Sequence, residues 1–432
     1  MRAIFVQALA AAMLTVPPTQ ATLADSIPSG WQAKDVKPVS YLKLQAQRGF
    51  KLTMKKTDAG RWYLFVGTTS PGGFQVIDVT DPTKPAIVKV IESERGSAQI
   101  TSSGNLLLLG AQLPFTDRGT PRPFRQPAQD LELVTLWDIA DPLNPERLSG
   151  FSARGWGTHR NGYFGGKYAY LAAFVEGYQG QSILLTLDVS DPRHPTEVGR
   201  WWWPGQRDND GVERIPMAFH GVPVLNRDGT MMTLAYAPGI VNLDVRDAAN
   251  PKIIGRIEFS PLTQVGPPSM HTALQLPNDY LFFSTEPEKP GCESETLAQA
   301  GIINNRDPAN PLLVARFGRP SAPPGAPYKT FCELKGRFGL HNVNAETHLS
   351  IAEKPAKRIF ATYFLAGLRV YDISNPLFPT EVAYFVPPIP DWDKGQRGVE
   401  DVLVDTRGYV YMTNGAEGGI WIVRYTGPTR ND

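Results

Sequence analysis

The chain contains 432 residues, of which 40 are glycine, 39 are proline and 10% are aromatic, a composition typical of a turn-rich all-β protein. Its formal net charge is +1, and the sequence has no basic run interleaved with aromatic residues. Composition and charge therefore argue against a nucleic-acid-binding protein.

The first residues follow the pattern of a secretory leader. Arg2 precedes an apolar stretch over residues 3–16, and small residues follow at Ala21 and Ala24. The pattern predicts a signal peptide over residues 1–24, with cleavage after Ala21 or Ala24, and a single mature domain over residues 25–432. Because no later stretch reaches the roughly 18 apolar residues of a membrane span, we expect no membrane span and a periplasmic or secreted protein.

A strand–turn–strand unit recurs along the chain. Its clearest copy, LRVYDISNPLFPTEV over residues 368–382, joins two apolar runs through a turn with two prolines. Proline fixes φ and donates no hydrogen bond, so the chain leaves one strand there and enters the next. Weaker copies begin at Phe74, Val134, Leu184, Ile240, Gly301 and Ile420. An aspartate precedes the turn in five copies, where we expect it to accept backbone hydrogen bonds and not to act in catalysis: Asp78, Asp138, Asp188, Asp244 and Asp372.

Seven copies spaced roughly 50 to 70 residues apart leave room for four short strands in each, which predicts a seven-bladed β-propeller. The period-2 patterning counts against a helical solenoid. The repeat resembles that of the LVIVD-repeat family of secreted bacterial β-propellers, and the resemblance extends over residues 37–428. It implies the propeller fold but no particular activity, because propellers host many chemistries.

The two ends of the chain are predicted to meet in one blade. The segment KPVSYLKLQ over residues 37–45 resembles the outer-strand segments HPTEVGRWW and FPTEVAYFV, whereas no outer strand follows the last copy. We therefore expect the N-terminal segment to join the last blade, which closes the ring and removes an exposed sheet edge.

The chain has two cysteines, Cys292 and Cys332, in the polar segments that flank the fifth copy. In an oxidising compartment they are expected to form a disulfide that closes a loop of roughly 40 residues. The alternative is a pair of free thiols. The sequence has no CxxC spacing that would indicate a metal or redox site.

Four of the six histidines occupy a corresponding place at the start of an inner strand: His159, His220, His271 and His341. Counting back from the following strand puts Glu400 at the same place in the next blade. Inner strands line the central channel of a propeller, so these side chains are predicted to form one belt. The residues around each histidine differ from copy to copy, which favours a role for the histidine itself. A hydrogen-bonded packing role remains the structural alternative.

The predicted belt indicates a site for a transition metal, iron or alternatively copper or zinc, because imidazole suits these ions. Glu400 would act as a catalytic acid–base group or as a ligand. The neighbouring residues Arg154, Trp156, Arg337 and Arg397 are predicted to bind an anionic substrate.

We therefore expect a metal-dependent oxidoreductase or oxygenase that acts on a small molecule, with aromatic compounds among the candidates. The alternative is a non-catalytic propeller that binds a protein or glycan partner and uses the histidines structurally. A hydrolase with a hard cation is disfavoured, because such sites prefer oxygen ligands.

Overall fold

The structure is a computed structural model that describes residues 22–46, 48–94, 96–113, 126–179, 182–209, 211, 219–236, 239–259, 269–287, 292, 300–389, 398–415 and 418–428. Within these ranges the protein is all-β, as the sequence predicts. Helical structure there is limited to two 3₁₀ turns, Pro277–Asp279 and Phe331–Glu333. None of the helices in the described part is long and apolar enough to cross a membrane.

The strands follow one another at short intervals. In chain order they are β1 Thr22–Leu23, β2 Gln32–Lys34, β3 Val36–Lys43, β4 Arg48–Lys56, β5 Trp62–Thr69, β6 Gly73–Asp78, β7 Ala86–Glu92, β8 Gly96–Ser103, β9 Leu106–Ala111, β10 Gln129–Asp138, β11 Glu146–Thr158, β12 Gly162–Tyr163, β13 Tyr168–Val175, β14 Ile183–Asp188, β15 Thr196–Trp201, β16 Val224–Leu225, β17 Met231–Tyr236, β18 Gly239–Asp244, β19 Lys252–Glu258, β20 Ser269–Gln275, β21 Tyr280–Glu286, β22 Ala300–Asn304, β23 Leu312–Arg316, β24 Arg358–Thr362, β25 Leu368–Asp372, β26 Thr380–Val386, β27 Val399–Val404, β28 Tyr409–Asn414 and β29 Gly419–Tyr425.

The described strands form six sheets. Four sheets have four strands, in the orders β16-β17-β18-β19, β20-β21-β22-β23, β2-β26-β25-β24 and β27-β28-β29-β3. A fifth has the order β1-β7-β6-β5-β4. The sixth has eight strands, because the long strand β11 pairs with β10 along its first part and with β13 at its end. The chain thus runs without a break from one repeat unit into the next at β11, where separate sheets were expected.

The turn of the repeat is built as its sequence predicts. Asp372 accepts a hydrogen bond from the backbone N–H of Ser374 at 2.8 Å, and Asn375 accepts one from Leu377 at 3.0 Å. The prolines and the chain reversal interrupt the strand ladder. These bonds satisfy the backbone N–H groups of Ser374 and Leu377, which the ladder no longer pairs. The aspartates before the other turns bind the backbone two residues ahead in the same way: Asp78, Asp138, Asp188 and Asp244. They serve the turn and lie away from the histidines.

The N-terminal segment contributes outer strands to three sheets. Strand β3 pairs with β29 from Val36–Tyr425 to Lys43–Gly419, which is the pairing predicted for residues 37–45. The ring of Tyr41 lies 5.1 Å from the ring of the buried Trp421 and helps to cover it. Two further pairings were not foreseen, β2 with β26 and β1 with β7. Strand β1 falls inside the predicted leader of residues 1–24.

The core lies between neighbouring sheets, where apolar side chains of facing strands pack together. Leu42, Leu64 and Ile422 are examples, each with no exposed surface, and they belong to one cluster shared by β3, β5 and β29. Cys292 and Cys332 form a disulfide with a Cα–Cα distance of 5.2 Å. The packed sheets give a rigid frame, and the inner strands carry the candidate site.

Candidate metal centre

Bulges in two inner strands interrupt the regular alternation of side chains at two residues of the predicted belt, His271 and Glu400. The pairing of β20 with β21 shifts register between Met270 and Thr272, so that His271 is the extra residue. The pairing of β27 with β28 shifts between Val399 and Asp401, which makes Glu400 the extra residue. A bulge re-aims the side chain of its extra residue and is common beside functional sites. His271 and Glu400 therefore occupy corresponding positions, as the spacing predicts.

The four histidine rings lie side by side in one row. Ring centroids are 5.0 Å apart for His159 and His220, 4.8 Å for His220 and His271, and 4.4 Å for His271 and His341. His271 and His341 are only 1% and 2% exposed, and His220 is 9% exposed. Histidines from four separate segments thus meet at one place.

Hydrogen bonds hold three of the imidazoles in a defined orientation. The Nδ1 atom of His159 lies 3.0 Å from the Gln112 amide oxygen, and that of His341 lies 2.7 Å from the Glu400 carbonyl. The Nδ1 atom of His271 lies 2.8 Å from the Thr272 hydroxyl, which itself donates to the His341 carbonyl. Because each Nδ1 faces an acceptor, the proton belongs on Nδ1 and the lone pair on Nε2.

The carboxylate of Glu286 lies close to the Nε2 atoms of three histidines. Glu286 is the last residue of β21, and its oxygens lie 3.5 Å from Nε2 of His220, 3.8 Å from that of His271 and 3.6 Å from that of His341. The guanidinium of Arg337 binds the same carboxylate. Three donor atoms, one each from His220, His271 and Glu286, all lie within 4.8 Å of one another. The sequence interpretation missed Glu286, although an acidic residue at the end of the apolar strand YLFFSTE was a usable signal.

Arg160 lies at the centre of the cluster and was also missed. Its Nη2 atom donates to Nε2 of His271 and, at 3.2 Å, to Nε2 of His341. Simple alternation would direct residue 160 away from the face that His159 occupies. The backbone at Arg160 instead has φ 61°, which is uncommon for a residue other than glycine. The left-handed backbone therefore breaks the alternation on which the sequence interpretation depended.

The electrostatics favour neutral imidazoles beside an ionised carboxylate. Burial lowers the pKa of His271 and of His341 well below the usual value, and the charge of Arg160 adds to this. Burial acts to raise the pKa of Glu286, but the charge of Arg337, with smaller contributions from the neighbouring histidines, outweighs it and holds this pKa well below its usual range. Burial lowers the pKa of Arg160 to about 10, so the guanidinium remains charged at neutral pH.

Glu400 lies beside the cluster and contacts it through its backbone. Its side chain has no exposed surface and binds Arg48, whose Nε lies 2.9 Å from the carboxylate. Its carbonyl oxygen accepts the hydrogen bond from His341. The carboxylate of Glu286 therefore faces the histidine Nε2 atoms, whereas the carboxylate of Glu400 binds Arg48.

The residues predicted to bind substrate are dispersed. Arg337 lines a cavity of about 320 Å³ next to the histidines. Trp156 instead packs in the hydrophobic core, and its indole N–H donates to the carbonyl of Gln126 at 2.8 Å. Arg154 is half exposed and pairs with Glu176 at 2.8 Å. Trp156 is itself the extra residue of a bulge in β11, where the pairing with β13 shifts between Gly155 and Gly157, but its side chain packs in the core. Arg397 lies outside the described residues.

The donor set is chemically suited to a transition metal. Two imidazoles and one carboxylate with open positions are typical of non-haem Fe(II) sites, and imidazole also suits copper and zinc. The Nε2 atoms of His159 and His220 lie 3.2 Å apart. Two ligands at about 2.1 Å from one ion, with an angle of roughly 90–110° between them, are about 3.0–3.4 Å apart. The spacing of this pair is compatible with a shared ion.

Two solved structures, one of them a β-propeller domain, resemble most of the chain. The β-propeller domain of Cps50 (Swd1) from Myceliophteria thermophila aligns with a TM-score of 0.50 and 14% identity, over 88% of this chain and 98% of that one. A protein from Lactobacillus plantarum aligns with a TM-score of 0.50 and 11% identity, over 84% and 90% of the two chains. At such low identity the likeness concerns the fold alone. A search of curated protein sequences gives no match.

A family model for the LVIVD repeat matches residues 164–201. This segment contains strands β13, β14 and β15 and the turn DPRHP between the last two. The resemblance drawn from the sequence is thereby confirmed for this segment: residues 164–201 carry an LVIVD repeat, which belongs to a family of β-propeller repeats.

Proposed function

We propose that this protein is a seven-bladed propeller that works outside the cytoplasm as a metal-dependent oxidoreductase or oxygenase on a small molecule. Export to the periplasm or beyond is supported by the leader pattern over residues 1–24 and by the disulfide of Cys292 and Cys332, since disulfides persist in oxidising compartments. The mature domain would then comprise residues 25–432.

Support for seven blades comes from the repeats and from the strand pairing. The sequence has seven copies of the unit, and the eight-stranded sheet divides into two four-stranded units at the bend of β11. Strand β3 supplies the outer strand that the last copy lacks. A ring closed in this way leaves no free edge at the junction of the chain ends.

The metal site is proposed at His220, His271 and Glu286, with His159 and His341 beside them and iron as the first candidate, then copper or zinc. The observation that carries this proposal is the convergence of the donor atoms of His220, His271 and Glu286, together with the hydrogen bonds that engage the Nδ1 atoms of His159, His271 and His341. A bound iron or copper ion would supply redox chemistry at its open coordination positions.

The chain's own residues would prepare the site. Burial and the Nδ1 hydrogen bonds favour neutral imidazoles at His271 and His341, and Arg337 would hold the Glu286 carboxylate in place and ionised. Glu400 would position His341 through its carbonyl and Arg48 through its carboxylate. The adjoining cavity is at the small end of the range for ligand sites, which supports a small substrate.

A non-catalytic binding propeller is the second candidate, and one observation favours it. The guanidinium of Arg160 already satisfies the Nε2 atoms of His271 and His341 without any ion. The buried carboxylates also have cation partners, since Arg337 binds Glu286 and Arg48 binds Glu400. A belt satisfied internally in this way could serve as a structural core beneath a face that binds a protein or glycan.

Metal analysis distinguishes the two candidates. The protein is expressed with its N-terminal leader, purified without an affinity tag and analysed for iron, copper and zinc by mass spectrometry. The enzyme proposal predicts close to one equivalent of one transition metal, which is lost in the double variant H271A/H341A. The matched control is H194A, because His194 is an exposed histidine of the DPRHP turn with 82% of its side chain accessible. Equal and substoichiometric metal in all three proteins would favour the structural belt.

A further inference from the structure

Arg160 is a buried cation with nitrogen atoms that lack an acceptor. The residue is 2% exposed, and its Nη2 atom is engaged by His271 and His341. Its Nε and Nη1 atoms have no hydrogen-bond partner among the residues that the structure describes. A guanidinium carries five N–H donors, and burying some of them without acceptors is unfavourable. The arrangement therefore points to an acceptor supplied by a ligand.

The unsatisfied nitrogens belong to a residue that lines the cavity beside the histidines. The charged groups around this space of about 320 Å³ are the guanidiniums of Arg48, Arg160 and Arg337 and the carboxylate of Glu286. Glu286 pairs with Arg337, and the fully buried Glu400 pairs with Arg48. Arg160 alone among these three cations has no carboxylate partner in the described part of the chain. Asp401, which shares Lys51 with Glu346, adds a negative charge that acts on Arg160 without forming an ion pair with it. One unpaired guanidinium in these surroundings matches a monoanion better than a dianionic phosphate.

Phe50 supplies an apolar wall between two of the cations. Its ring centroid lies 4.7 Å from Cζ of Arg160 and 5.0 Å from Cζ of Arg48. The ring lies within cation–π distance of both guanidiniums and shields part of them from water. A ligand that reaches Arg160 would therefore have an apolar surface beside its charged end.

We propose that the cavity binds a small organic carboxylate, with Arg160 as the principal charge partner and Phe50 as an apolar contact. Since Arg160 also donates to His271 and His341, the bound carboxylate would lie next to the proposed metal donors. The inference deepens the proposed function by naming its substrate class, and it rests on that function only for what happens to the carboxylate after binding.

The test is carried out on metal-free protein, so that anion binding and metal binding are separable. The full-length mature protein is treated with chelator, and calorimetry measures the binding of benzoate, of the neutral isostere benzamide and of inorganic phosphate. We expect saturable benzoate binding, no binding of benzamide at the same concentrations and weaker binding of phosphate. R160Q is expected to weaken benzoate binding by about tenfold or more, because a charge-assisted bond of this kind is typically worth at least one factor of ten.

Two variants keep the result interpretable. R154Q removes an exposed arginine that is paired on the surface, and it should bind benzoate as the parent does. R160K retains the charge and guards against a fold defect in R160Q; with normal circular dichroism it should recover part of the affinity. Equal binding of benzoate and benzamide, unchanged benzoate binding in a folded R160Q, or tighter binding of phosphate would each overturn the assignment. Benzoate binding in a protein that never takes up metal would leave this inference standing and remove the proposed enzyme.

Discussion

The Nδ1 atom of His341 donates to the backbone carbonyl of Glu400 over 2.7 Å, so that a bulge in one inner strand orients the imidazole of the neighbouring segment. His271 is held in a similar way by the hydroxyl of Thr272. The Nδ1 atoms of both histidines thus have partners, which leaves their Nε2 atoms to face Glu286. Such partners commonly affect metal affinity by 10- to 100-fold.

The hydroxyl of Thr272 should accordingly control metal affinity. T272V removes the acceptor of His271 at nearly constant volume, and we expect metal affinity to fall by about tenfold or more. T272S keeps the hydroxyl and should bind as the parent does. Competition titration against a chelator of known affinity measures the difference. Equal affinities in T272V and T272S would show that the hydroxyl has no part in the site.

The two buried carboxylates should differ in their effect on metal binding. E286Q removes a proposed ligand, and E400Q removes the partner of Arg48 while leaving the carbonyl that holds His341. We expect E286Q to lose most of its metal and E400Q to keep it. Both breaks leave a guanidinium without its carboxylate, so unfolding should occur at lower temperature in both variants. Metal content is therefore measured well below the unfolding midpoints, and a greater loss in E400Q would reverse the roles assigned here.

The repeat turns should give the fold a defined sensitivity to acid. Hydrogen bonds from Asn144 and from the backbone of Leu143 lower the pKa of Asp141 below its ordinary value. The corresponding aspartates behave alike: Asp81, Asp191, Asp247 and Asp307. Because the folded pKa lies below the unfolded value of about 3.9, their stabilisation is complete above that pH and is lost as pH falls through the folded pKa.

Replacing these aspartates by asparagine should make the unfolding temperature depend less on pH under acidic conditions. The clearest copy of the repeat already has Asn375 at this position, and its side chain accepts the same backbone bond. Between about pH 5 and pH 2, we expect the unfolding temperature of the combined variant D141N/D191N/D247N to fall less than that of the parent. Thermal unfolding followed by circular dichroism at each pH provides the measurement. Parallel curves for the two proteins would contradict the turn mechanism.

Packing of strand β3 on the last blade should be worth several kcal/mol. Leu42 has no exposed surface and lies in the core shared with β29. L42A should lower the free energy of unfolding by about 2–5 kcal/mol, the range for a buried leucine. L312A is the control, because Leu312 lies on an outer strand with 61% of its surface exposed. Equal, small effects in both variants would mean that β3 contributes little to the last blade.

The sequence predicts the fold well because the repeat is a local feature. Asp372, Asn375 and the two prolines that follow define a turn whose hydrogen bonds lie within a few residues. Repetition then multiplies a weak local signal, and the pairing of β3 with β29 follows from which unit lacks an outer strand. The continuous strand β11 was not predicted, because nothing in residues 146–158 marks where one sheet ends and the next begins.

The site was predicted only in part, for a reason that concerns backbone geometry. The histidines were found because they recur at one position of the repeat, and Glu400 was found by counting along the same position. Arg160 and Glu286 occur once each and have no counterpart in the other copies. Arg160 also reaches the cluster through a left-handed backbone, which no alternation of side chains foretells.

The central claim is that histidines from separate segments of the chain share one metal ion with Glu286. Anomalous X-ray scattering, recorded above and below the absorption edge of the metal found in untagged protein, tests it most directly. We expect a single strong peak within about 2.0–2.3 Å of donor atoms of His220, His271 and Glu286. A peak confined to exposed side chains such as His194, or no peak in the histidine row of protein that contains metal, would contradict the account.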